Sequence, residues 1–171
     1  MRALPVLLAA TLALTVAACD RGAAPDKTAQ ATAFKHDLPE DVSGYYIPTT
    51  AVQVGDWRLH HLFLGQVPDF MAWRDGQRTA GFAPILMEFE AGDKARRTRL
   101  IPMAYDVTED RVRFEATSRE LGAVSFDGRL DQDALAKARR NLGDQGVVLK
   151  GTLKVGGRTF DGVSMRWWAG D

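Results

Sequence analysis

Three histidines and two recurring aspartates are the titratable side chains whose placement could do chemistry. His60 and His61 are adjacent. Neighbours on a regular strand point to opposite faces, so these two could share a metal ion only across a bulge. The expectation is therefore a hydrogen-bonded core ring and no metal ligand or base. His36 falls in a stretch read as linker. Asp127 and Asp161 recur in Ser125-Phe126-Asp127-Gly128 and Thr159-Phe160-Asp161-Gly162. As a pair they could exchange protons or hold a cation if strands brought them together. The plainer reading is a turn or bulge, where Asp bonds nearby amides and Gly relieves the backbone. The sequence has no G-x-S-x-G elbow, no H-E-x-x-H helix and no paired cysteines. No catalytic residue, no metal and no cofactor is expected.

The one cysteine has a different context. Met1-Arg2 starts the chain, an apolar run from Ala3 to Leu14 follows, and small residues lead to Val16-Ala17-Ala18-Cys19. A charged start, a short apolar stretch and a small-residue exit are the parts of a secretory signal. The run is short of the roughly 20 apolar residues that span a bilayer. Val16-Ala17-Ala18-Cys19 resembles the lipobox of bacterial lipoproteins. The resemblance implies a signal peptide over 1–18, cleavage before Cys19, a diacylglyceryl thioether on its sulfur and often a third, palmitate-like chain on its amine. Membrane lipid would then be the partner, since two or three acyl chains hold where one binds marginally. Asp20 resembles the retention signal of enterobacterial inner-membrane lipoproteins. The implied location is the cell envelope, on the extracytoplasmic or periplasmic side.

The chain carries 22 basic and 22 acidic side chains, and loss of Arg2 with the signal leaves about one net negative charge. Such balance excludes the strong basic excess of a nucleic-acid binder. Once Cys19 is acylated no disulfide can form within the chain, so the domain stands on packing alone. The stretch from 19 to 43 is rich in Ala and Asp, as in Gly22-Ala23-Ala24-Pro25 and Ala29-Gln30-Ala31-Thr32-Ala33, without apolar periodicity, and reads as a flexible tether spanning roughly 25–30 Å.

The elements that must position any site lie in one domain, 44–171. Trp57, Leu59, His61 and Phe63 alternate with Arg58, His60, Leu62 and Leu64. Ile85, Met87 and Phe89 alternate with Leu86, Glu88 and Glu90, and Val112, Phe114 and Ala116 with arginines and Glu115. Period two predicts half-buried strands. Turns are expected at 91–94, 108–110, 121–122 and Gly156-Gly157. One helix is predicted from an Asp131 N-cap to a stop at Gly143, with an inner stripe of Ala134, Leu135, Ala138 and Leu142. The two Phe-Asp-Gly hairpins form a weak internal repeat around that helix. About eight short strands predict a mainly β domain, a single antiparallel barrel or a sandwich with one helix near 131–142.

The hairpin Gly151–Phe160 resembles the closing strands of polyisoprenoid-binding envelope barrels. That resemblance covers about a fifth of the mature chain and implies a lipocalin-like fold with an apolar interior. Phe70, Met71 and Trp73 are expected either as an apolar lip over a barrel mouth or as a core strand. Of the adjacent Trp167 and Trp168, one should be core and Trp168 is the groove candidate. Lys94, Arg96, Arg97 and Arg99 form a basic cluster, on a solvated hairpin or facing an anionic bilayer. The leading expectation is a non-enzymatic envelope lipoprotein that binds an apolar small molecule or lipid. Behind it stand a module for an unidentified protein partner and, third, an enzyme using Asp127, Asp161 or a histidine.

Overall fold

The computed structural model describes residues 33–79, 81–92 and 96–170. Val16, Ala17, Ala18, Cys19, Asp20 and Lys94 lie outside the described residues, as does most of the tether. The fold is mainly β, as expected, in the form of one curled sheet that makes a half-barrel. Its strands are β1 (Phe34–Asp37), β2 (Gly44–Pro48), β3 (Gln53–Val54), β4 (Trp57–Leu64), β5 (Ile85–Ala91) and β6 (Arg97–Leu100). They continue with β7 (Ala104–Thr108), β8 (Arg111–Ser118), β9 (Gly122–Leu130), β10 (Val147–Val155) and β11 (Arg158–Trp168). Helix α1 (Val67–Arg74) follows β4, and α2 (Gln132–Arg140) joins β9 to β10. Across the sheet the order is β1-β7-β8-β9-β10-β11-β2-β4-β5-β6, with β3 added beside β4.

Three features differ from the expectation. The sheet takes in Phe34–Asp37, which reads as tether. Phe34 is buried, and β1 runs parallel to β7, so the sheet is not wholly antiparallel. A lone Phe among Ala, Thr and Lys makes no periodic signal, but it needs only one apolar slot to tie the segment down. A second helix is present, α1. Leu142 leaves the inner stripe of α2 and is exposed, because the helix stops at an extended Asn141. The Asp131 cap itself forms: its carboxylate accepts the Ala134 amide at 2.9 Å.

The inner face holds the core. Tyr46, Leu62, Met87, Phe89, Phe114, Phe126, Leu149 and Met165 are buried in one contiguous cluster, which Leu135 and Ala138 join from α2. Tyr46 takes its hydroxyl into this cluster by donating to the Val42 carbonyl at 2.6 Å. Helix α1 leaves β4 and reaches the far end of the strand order, where Phe70 packs on Tyr105 of β7 and Trp73 on Phe34 of β1. Phe70 and Trp73 are three positions apart and share a helix face. Both belong to the core, while Met71 points to solvent. The segment is thus neither a lip nor a strand. Pro68 in the first turn, and Asp69 accepting the Gln66 amide at 2.9 Å, start a helix that a period-two reading overlooks.

Both hairpins of the internal repeat form. Gly156 and Gly157 take the turn between β10 and β11 at φ 54° and 81°, as a primed turn requires.

Candidate functional site

The site begins with a phase slip in β4. Apolar residues fall at Trp57 and Leu59, then at Leu62 and Leu64, so a step of three interrupts a period of two. The chain keeps all of Leu59, Leu62 and Leu64 buried by bulging. Leu59 pairs Phe89 and His61 pairs Glu88, which leaves His60 as the extra residue. An inserted residue turns the side chains beyond it to the opposite face. His61 and Phe63, read from alternation as companions of Leu59, therefore stand on the outer face with His60. The two histidines do not point apart: their Nδ1 atoms are 2.7 Å from each other.

Strand β5 lies beside them and is buried on both faces. Its inner residues join the core, whereas Leu86, Glu88 and Glu90 face outward and are still covered. Glu88 is 1 % exposed and Glu90 2 %. Carboxylates that deep require compensation. Arg99 of β6 donates Nε–H to Glu88 Oε2 at 2.8 Å, Arg97 Nη1 lies 3.4 Å from Oε1, and Arg58 of β4 pairs with Glu90. His60 Nδ1 is 3.8 Å from Glu88 Oε1. Half of the basic cluster foreseen as solvated thus roofs a buried acid. Arg96 instead lies over the Trp57 ring. Burial pushes the His61 imidazole down to about 4, with Glu88 opposing that shift, so the ring is neutral near neutral pH.

Aromatic rings extend the cluster along the outer face. Tyr45 of β2 is 5.0 Å from His61, 5.2 Å from Phe63 and 5.4 Å from Trp168 of β11, and Phe82 is 6.0 Å from Phe63. With Leu86, Arg97 and Arg99 these rings line an open cleft of about 580 Å³, polar at the histidine end and aromatic elsewhere. Trp168 is here, as the alternation of Trp167 inward and Trp168 outward predicts. Trp167 is buried and donates its indole N–H to the Ser43 carbonyl at 3.0 Å.

The aspartates lie elsewhere. Asp127 accepts two bonds from Arg111, at 3.0 and 2.8 Å, and one from Arg113 at 3.2 Å, on the outer face of β8 and β9. Its hydrogen bonds to Arg111 hold the carboxyl below the usual range. Asp161 accepts the Thr152 hydroxyl at 3.0 Å. Thr152 pairs with Asp127 in the ladder, so the two aspartates flank one threonine. Asp161-Gly162 sits where the β10–β11 register slips, with Gly162 at φ 66°. The bulge reading thus holds for the second copy of the Phe-Asp-Gly motif and not for the first, since Asp127-Gly128 pairs regularly with both neighbouring strands; neither aspartate lines the histidine cleft.

Alternation alone missed Tyr45, Phe63, Phe82 and Glu88 as site residues. The step from 59 to 62 is the signal that could have placed Phe63 and His61 on the face of Glu88; Tyr45 and Phe82 join them through the strand order alone. No family model, no curated protein and no solved structure matches this chain.

Proposed function

We propose that this protein is a lipoprotein of the bacterial cell envelope, held on the extracytoplasmic side by acylated Cys19, that binds a single-chain amphiphile with an anionic head. The Asp20 position favours the inner membrane. The ligand lies in the outer cleft rather than inside the curl, where the core side chains pack together. One observation carries the reading: the successive rings of Trp168, Tyr45, Phe63 and Phe82 line one cleft together with the Arg97 and Arg99 side chains. Apolar rings shelter a hydrocarbon chain, and two half-exposed arginines around one carboxylate leave a net positive charge for the head.

Titration of the detergent-solubilised full chain with a long-chain fatty acid, followed by tryptophan fluorescence, tests the cleft. Micromolar binding is expected, weakened at least tenfold in the Phe63→Ala/Trp168→Ala double variant. Equal binding by parent and variant would place the ligand elsewhere. The anchor is tested separately by feeding cells an alkyne-tagged palmitate: the label should enter the parent and be absent from Cys19→Ser.

A further inference from the structure

We infer that His60, His61 and Glu88 form a binding site for a divalent first-row transition-metal ion, with Nδ1 of each histidine and Oε1 of the glutamate as ligands. One ligand atom from each residue lies within 4.8 Å of the others. A tetrahedral zinc ion with bonds of about 2.0–2.2 Å holds its ligands roughly 3.3 Å apart. The Nδ1 atoms, at 2.7 Å, need to part slightly, and His60 Nδ1 and Glu88 Oε1, at 3.8 Å, to close slightly. Both shifts are small rotations of side chains. Without an ion, one imidazole N–H donates to the other ring's Nδ1. With one, both lone pairs turn to the metal, the pairing a bulge makes possible and a regular strand forbids.

The arginines leave this arrangement open. A carboxylate has about four lone-pair sites. Arg99 uses Oε2, and Oε1 faces the histidines. Arg99 then acts as an outer partner that orients the ligating carboxylate, as is general around bound metals. Arg97 is the opposing element: its guanidinium, on a side chain 53 % exposed, lies 3.4 Å from Oε1 and repels a cation there. Two imidazoles and one carboxylate suit zinc, cobalt or nickel over calcium or magnesium, and three protein ligands leave a position open to the cleft. The inference goes beyond the amphiphile reading and does not depend on it.

The test is Zn2+ titration calorimetry, and Co2+ visible spectroscopy, on the full chain in detergent. One ion per chain with micromolar affinity is expected, together with d–d bands of low-coordinate Co2+. His60→Ala should weaken binding at least thirtyfold, and Arg97→Gln should tighten it about tenfold by removing the repelling charge. Cys19→Ser and His36→Gln should change neither signal. Undiminished binding in His60→Ala, or no uptake at 100 micromolar Zn2+, overturns the site. Both substitutions fall on side chains at least two-fifths exposed, so folding is retained and the opposite directions remain readable. A chain that binds zinc and no fatty acid sustains the metal site and removes the amphiphile. The reverse result does the opposite.

Discussion

Two carboxylate–arginine clusters occupy the outer face of the same sheet and are built from the same parts. In one, Glu88 of β5 faces Arg97 and Arg99 of neighbouring β6; in the other, Asp127 of β9 faces Arg111 and Arg113 of neighbouring β8. Each pair of arginines is two positions apart, so both point to one face. Yet the Asp127 side chain is 50 % exposed and that of Glu88 2 %. What separates them is one extra residue. Asp127 lies in an unbroken β8–β9 register, with short or solvated neighbours, whereas β5 adjoins the bulge that brings His60, His61 and Phe63 to its face. The first cluster is a surface ladder, and the second is the polar end of a cleft.

The largest contrast should come from removing a residue. Deleting His60 restores strict alternation to β4, with Leu59, Leu62 and Leu64 all still inward. That variant should fold, with near-parental circular dichroism, keep His61 and Phe63 on the outer face, and lose zinc binding for want of the second imidazole. Deleting Arg113 makes Val112 and Phe114 neighbours, so either Val112 or Phe114 and Ala116 must turn outward, and should abolish cooperative unfolding. A deleted His60 that fails to fold would show that the bulge does more than carry the histidines.

Next in size is removal of the arginines. Arg97→Ala/Arg99→Ala leaves a nearly inaccessible carboxylate without its partners, at a cost of about 3 kcal/mol in urea unfolding. Arg111→Ala/Arg113→Ala exposes Asp127 to water that already reaches it, and the thermal midpoint should stay within about 2 °C. Equal losses in the two doubles would erase the distinction between ladder and cleft.

The clusters should also separate by pH. The metal-free His61 ring has a folded pKa below its unfolded value of 6.5. As pH falls under 6.5 the unfolded chain takes up a proton that the native state refuses until about 4, so stability declines across that window. Substituting His61→Gln should flatten this slope in denaturant unfolding measured between the two limits. Asp127 is depressed as well, but from an ordinary value of 3.8, so its contribution is present above that value and disappears only below it. The smallest effect is Asp127→Asn, which should leave fatty-acid and zinc binding unchanged and the midpoint within about 2 °C.

The strands read over 57–64, 85–90 and 111–116, the hairpin over 151–160, and the capped helix after Asp131 are legible because each is a local pattern. Alternation, a capping aspartate and a Gly-Gly turn act within a few residues. The turn-or-bulge reading of the two Phe-Asp-Gly copies holds only at Asp161-Gly162, because the register slip depends on the partner strand and not on the motif. The site is less legible. His60, His61, Arg97, Arg99 and Trp168 were singled out by type. Their convergence depends on which strand lies beside which, and Tyr45 and Trp168 come from strands far apart in sequence that the sheet order makes neighbours. Helix α1 was hidden because Phe70 and Trp73 meet partners on β7 and β1 at the opposite end of that order.

The amino-acid sequence by itself determined a mainly β chain, its Gly-Gly hairpin turn and the α2 cap, all of them short-range matters of side-chain volume, charge and backbone freedom. Tertiary structure alone decided that two adjacent histidines share a face. A strand's register is chosen by the burial of Leu59, Leu62 and Leu64 against a partner strand. That choice, made in the core, sets the chemistry on the outside.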